Sequence, residues 1–400
     1  MPPSADHWRR FPPTEVIDGC RAVLYESKST GLRGVLVETG EPLCSLHVAI
    51  ATEADTNEWS HKDDGLPHTL EHAIFLGSEL YPYKGILDKL ANRCLAQGTN
   101  AWTATDHTCY TLETAGHEGC LNLLPIFADH ILYATMTDEA FLTEVHHVTP
   151  AGEDKGVVYC EMQGRENKDG SLVDRAVLSL LYPSGGYSAE TGGMLANLRT
   201  LTNAQVRRYH AENYRPSNTL FVVSGTASES EFISALEIVD ARIRAKPAPP
   251  PAERRPWSAA VAPMVPADGV LSPPLVATAD ASRVLHFPSD DESVGTVSMA
   301  WRGPPYGARE EWAALMLLWK YLTVSAVSPL QKVFVECAAP LCARVSACSE
   351  VFTDGYHQAH NNSSRHNNND RIRPPAARAR ARGRASVLLS LPHLKSVTCV

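Results

Sequence analysis

Two histidines and one glutamate in GLPHTLEH, residues 65–72, carry the strongest chemical signal in the chain. His68 and His72 are four apart, so on a helix they project from successive turns in one direction and can reach one ion from one rigid element. Glu71 stands three after His68 and beside His72, placed to face a water on the metal without itself binding the metal. Zinc brings the pKa of such a water toward neutrality, and a nearby carboxylate can take its proton. Pro67 suits the first helical position, where a missing N–H costs nothing. With 16 histidines in 400 residues, H-x-x-E-H would arise by chance in roughly one such chain in twenty or thirty. Context must therefore decide between a metal site and an amphipathic helix whose histidines have other partners.

A hydrolytic zinc site needs a third protein ligand. Downstream candidates are Glu113, Glu118, Glu139, Glu144, Glu153 and Glu161. Glu161 lies in an apolar run, GVVYCEM at residues 156–162, and a buried carboxylate is costly unless it is paired or ligates a metal. Glu161 is therefore the expected ligand, while Glu144 and Glu153, in more polar surroundings, are expected to be solvated. Residues 98–105, GTNAWTAT, read as an exposed strand that could pair with an extended peptide, or as an ordinary strand with Asn100 in a turn. His107, in a strand-like stretch, is expected to be structural, and the adjacent His146 and His147, which could be ligands, would not face the same way on a helix.

The ordered set HTLEH, NAWT at residues 100–103 and GVVYCEMQG from residue 156 resembles the inverted-zincin, or pitrilysin, family of metallopeptidases. LANRCL, TDHTCY and ETGG point to its presequence-protease-like branch, and the likeness runs from about residue 20 to about residue 350. The resemblance implies one Zn2+ per chain held by His68, His72 and Glu161, with Glu71 as general base. It implies a supporting role for Asp154, where many relatives carry glutamate, and a substrate-binding role for Asn100 and Ala101 on an edge strand. The implied activity is metalloendopeptidase action on unfolded peptides. The alternative is a truncated, non-catalytic peptide-binding or scaffold protein, because members of the family are more than twice as long. Their C-terminal half closes over the zinc, so a missing half or a partner chain is expected.

The elements that position these residues suggest an α+β architecture of mixed sheet packed with helices. Residues 40–53 alternate as a strand through Leu46, Val48 and Ile50, residues 117–133 have a helical period, and residues 219–225 read as a buried strand. The resemblance specifies this as a mitochondrial-processing-peptidase-like domain followed by the start of a second similar one. The expected divisions are a zinc-binding peptidase domain at 1–240, a Pro/Ala-rich linker at 241–270, a partial second domain at 271–352 and a low-complexity, disordered tail at 353–400. The abrupt change in composition near residue 355 is what a misread exon boundary or a frameshift would leave.

A net charge of −9 argues against general nucleic-acid binding by the main body. Only the tail, with seven arginines between Arg365 and Arg384 against Asp370, offers such a surface. No apolar run is long enough to span a bilayer. The ten cysteines include no C-x-x-C pair, and no secretory segment is evident, so a reducing compartment is expected. The cytoplasm is the first expectation and the mitochondrion the alternative, since the N-terminus lacks a basic amphipathic helix.

Overall fold

The structure is a computed structural model that describes residues 7–17, 19–52, 63–182, 186–247, 281–288, 294–305, 309–350, 382–392 and 397–399. The chain divides into two compact units, Met1–Glu161 with Thr191–Pro256, and Met162–Glu190 with Trp257–Val400. In chain order the first unit contains β1 (Trp8–Arg10), β2 (Thr14–Ile17), β3 (Cys20–Ser27), β4 (Arg33–Glu38), β5 (Leu43–Ala51), α1 (Leu66–Ile74), α2 (Ile86–Arg93), β6 (Ala96–Thr103), β7 (His107–Ala115), α3 (His117–Leu132), α4 (Asp138–Glu144), β8 (His147–Val148), β9 (Asp154–Lys155) and the start of α5 (Val157–Glu166). The chain then runs through α6 (Asp169–Leu181) of the second unit. It returns to the first with α7 (Leu195–Leu198), α8 (Asn203–Asn213), β10 (Thr219–Gly225) and α9 (Glu229–Arg244).

An eight-stranded sheet organises the first unit, in the order β1-β3-β4-β10-β5-β7-β6, with β2 also paired to β3. Only β4 and β10 run parallel. Alternation buries Cys44, Leu46, Val48 and Ile50 of β5 and Phe221 and Val223 of β10 on one face. The helices α3 and α9 supply Leu123, Leu124, Phe127, Phe232 and Leu236 to the core. Each such buried side chain stabilises the fold by about 1.5–3 kcal/mol. The terminal strand β6 pairs only with β7, so its other edge carries no partner strand among the described residues.

Helix α1 is fixed at both ends. At its start Gly65 has φ +73, and a Cβ there would lie 2.7 Å from the Gly192 carbonyl oxygen and 2.8 Å from the Gly193 Cα. The close backbone approach and the left-handed φ both demand glycine. Asp64 Oδ1 accepts from the Leu66 N–H at 3.0 Å. At the far end His130 Nδ1 lies 3.0 Å from the Ile74 carbonyl, which otherwise has no partner within its own helix. Neighbouring α8 packs on α1, and its buried His210 places Nε2 2.8 Å from the Ile131 carbonyl.

Burial lowers the His210 pKa from 6.5 to about 4. An unfolded chain therefore takes up this proton first as the pH falls, and the fold loses stability between the two values. The expected loss is about 2 kcal/mol at about pH 5 relative to neutrality. Urea midpoints against pH should show this slope in the natural chain and a flatter one in His210→Gln, which keeps an N–H donor.

The second unit has a five-stranded sheet in the order β11 (Arg283–Leu285), β15 (Val397–Cys399), β12 (Val294–Pro305), β14 (Arg382–Pro392) and β13 (Arg344–Glu350). Helices α10 (Arg309–Thr323) and α11 (Pro329–Phe334) accompany it, around Trp319, Cys342 and Val345. The α+β reading holds. Two divisions read from the sequence differ. Residues 162–190 go with the second unit, because Val173, Ala176 and Val177 of α6 bury against Leu285, Phe287 and Ala300. The tail is not structureless over residues 382–392 and 397–399. There the run Val387, Leu388, Leu389 and Leu391 supplies the strand β14 between β12 and β13, which the arginine-rich composition around it obscured. The parts of the linker and tail at residues 248–270 and 351–381 lie outside the described residues. Among the described residues no helix is long and apolar enough to cross a membrane.

Candidate metal centre

The spacing in α1 does what the sequence requires of it. The His68 and His72 rings lie 4.8 Å apart between centroids, at 84° to one another. Helix α5 brings Glu161 to the same point, with Oε2 at 3.6 Å from His68 Nε2 and 3.5 Å from His72 Nε2. These contacts are long for hydrogen bonds. They fit a shared ion better, since ligands about 2.0–2.2 Å from a tetrahedral centre stand roughly 3.4 Å from each other. Two imidazoles and a carboxylate are also a donor set that suits zinc.

Glu161 is not the buried carboxylate that its apolar neighbours suggest. Its side chain is 39% exposed, because residues 157–166 form a helix on which the apolar run divides between two faces. The buried carboxylate is Glu144, which had been expected in solvent. Glu144 Oε1 lies 3.1 Å from His72 Nδ1, and its Oε2 accepts from Lys84 Nζ at 3.0 Å. A proton on Nδ1 leaves Nε2 free toward Glu161, the arrangement by which a carboxylate fixes the tautomer of a ligand histidine. Burial disfavours charge on His72, but the Glu144 hydrogen bond and the charges of Glu144, Glu71 and Glu161 outweigh it and raise the His72 pKa. Burial likewise pushes Glu144 up, and its bonds to His72 and Lys84 bring it below its usual value. Replacing Glu144 by alanine should weaken zinc binding about 10–100-fold, read by competition with a chelating dye.

Asp154 does not take the supporting role that the resemblance implied. Its Oδ1 lies 2.7 Å from His146 Nε2 and its Oδ2 accepts from Arg199 Nη2 at 2.9 Å. Tyr159 Oη is also 3.3 Å from Oδ2. The shorter aspartate is committed to this cluster, where Arg199 and then His146 hold it well below the usual carboxylate range. The cluster ties the approach to α5 to the residue that ends α7.

Glu71 accepts a 2.5 Å hydrogen bond at Oε2 from Thr103 Oγ1 on β6. Burial raises its pKa, with the Thr103 bond and the His72 charge pulling the other way and Glu161 adding to the rise. A raised carboxylate is better matched to accepting a proton near neutrality. Asn100 and Ala101 lie on β6 at the sheet edge, beside a cleft of about 320 Å³ whose lining includes Glu71, Phe75, Lys84, Asp88 and Glu144. Thr103 was missed, although strand alternation puts it on the same face as Ala101. Nothing local in the sequence marks Glu144 or Lys84. A second group of ligand types, His7, Glu237 and Asp240, is saturated by other bonds. Arg244 pairs with both carboxylates, Trp8 donates to Glu237 and Thr30 donates to Asp240.

The family model described as Insulinase (Peptidase family M16) matches residues 42–154, and the one described as Peptidase M16 inactive domain matches residues 200–354. The chain belongs to peptidase family M16. An uncharacterized protein of Caenorhabditis elegans is 40% identical over 330 residues, 82% of this M16 chain and 31% of the worm protein. The mitochondrial presequence protease of Xenopus tropicalis is 32% identical over 169 residues, 40% of the M16 chain and 16% of that protein. The crystal structure of a putative M16-like peptidase from Alicyclobacillus acidocaldarius has the same fold, with a TM-score of 0.63 at 17% identity over 95% of this chain and 77% of that one. The M16 chain thus spans 31% of the worm relative and 16% of the Xenopus one.

Proposed function

We propose that the chain is the zinc-binding part of a metalloendopeptidase that hydrolyses unfolded peptides. The observation that carries the reading is the meeting of His68, His72 and Glu161 at one point, with Glu71 beside them and an edge strand alongside. His68 and His72 through Nε2, and Glu161 through Oε2, would hold one Zn2+. When bound, the ion supplies a Lewis acid for a scissile carbonyl. Glu71 takes a proton from the attacking water and passes it to the leaving amine. Glu144 keeps the His72 ring oriented. The open edge of β6, at Asn100 and Ala101, holds an extended peptide through its backbone, which tolerates many sequences.

A second reading, a peptide-binding subunit that does not cut, is favoured by the match of residues 200–354 to the inactive M16 domain. The longer relatives support a further half or partner chain in the working protein. The cytoplasm remains the proposed compartment, and the name of the Xenopus relative favours the mitochondrial alternative.

The deciding experiment strips the purified chain with a chelator, restores zinc, and follows metal stoichiometry, binding and cleavage of a fluorogenic unstructured peptide. One zinc per chain with cleavage that the chelator abolishes is the expected result. One zinc with binding but no cleavage selects the second reading, failure to bind zinc overturns the first, and failure to bind the peptide overturns both.

A further inference from the structure

Strand β6 is fastened to the site by two threonine hydroxyls four residues apart. Thr99 Oγ1 donates to Asp88 Oδ1 of α2 at 2.6 Å, and Thr103 Oγ1 donates to Glu71 Oε2 of α1 at 2.5 Å. Ala101 sits between them on the same face and lines the cleft, its methyl leaving the space open. Both bonds come from the terminal strand, whose only sheet partner among the described residues is β7, in a register that sets Thr103 opposite Thr108.

For Glu71 the bond to Thr103 has no substitute. Among the described residues it is the one hydrogen bond that the carboxylate makes. A half-buried carboxylate with a single donor has its rotamer set by that donor. Oε2 is engaged by the hydroxyl, so Oε1 is the oxygen left to exchange a proton. The same threonine belongs to the strand on which the proposed substrate would lie.

We propose that Thr103 is a positioning residue for Glu71, and that through it the peptide-binding strand and the catalytic base are held in one register. This rests on the proposed peptidase reading and deepens it. A peptide added to the β6 edge stiffens the strand, and the stiffened strand holds the base where the scissile bond lies. A threonine kept only for strand propensity would be replaceable by valine, which has the same shape and β-branching but no O–H.

The test compares Thr103→Val and Thr103→Ser in the full zinc-loaded chain. The valine variant should keep one zinc and its KM for the fluorogenic peptide while kcat falls about tenfold, as expected when a bond to a charged group is lost. The serine variant, which restores the hydroxyl, should recover most of that loss. Crystals of the zinc-loaded valine variant should show the Glu71 carboxylate turned away from position 103. An unchanged kcat in the valine variant, a serine variant as slow as valine, or Glu71 in its original place would overturn the assignment. If the natural chain cleaves nothing, the peptidase reading falls, and the crystals still decide whether Thr103 places Glu71.

Discussion

Glu71→Gln should abolish peptide hydrolysis while leaving zinc in place. The substitution keeps the shape of the side chain and an oxygen that can accept from Thr103 Oγ1. It removes the ability to take a proton and hand it on. General acid–base catalysis contributes roughly 10²–10⁴-fold, so turnover should fall about a thousandfold. Metal content should not change, because the converging donor atoms belong to His68, His72 and Glu161. Zinc stoichiometry and initial rates on the same preparation separate the two effects. A Glu71→Gln variant that still cleaves at the natural rate would remove Glu71 from the chemistry, and one that has lost zinc would make it a ligand.

Gly156→Ala should be the most damaging change outside the ligands. Gly156 has φ +134, and a Cβ there would stand 2.2 Å from the Val145 carbonyl oxygen and 2.9 Å from the His146 Cα. Both are backbone atoms, so no side chain can move to make room. Strain and overpacking together should lower stability by about 3 kcal/mol or more. Zinc affinity should fall with it, because this contact sets the end of α4, which carries Glu144, against the start of α5, which carries Glu161. Gly164→Ala on the same helix is the control. An added Cβ at 164 meets nothing within 4 Å, so the helix should gain slightly from the better helix former. Thermal unfolding and zinc titration of both variants check the pair. Equal behaviour would mean that the backbone approach at 156 can relax.

The parts of the site carried by one short segment were legible in the sequence. The common face of His68 and His72 followed from the helical period, and β5, α3 and β10 followed from the apolar patterns of residues 40–53, 117–133 and 219–225. What failed were judgements about partners distant in the chain. The polar neighbours of Glu144 suggest a solvated side chain, yet it is buried by α1 and Lys84, which are about 60 to 70 residues away in sequence. The apolar run around Glu161 suggests a buried carboxylate, and the structure has a partly exposed one on a helix. Asp154 matched a family position by count, but Arg199 and His146 claim it. Local pattern gives the element and its faces, and which face meets which is decided by long-range packing that no local window contains.

The distribution of the three donor atoms along the chain has a consequence for folding. His68 and His72 share one helix, whereas Glu161 comes roughly 90 residues later. An ion joining them would act as a removable cross-link closing a large loop of the unfolded chain. By the chain-entropy relation for cross-links, closing a loop of that length restricts the unfolded ensemble by about 4.6 kcal/mol. On that account, zinc would stabilise the arrangement of α1 against α5 in addition to any part in the chemistry.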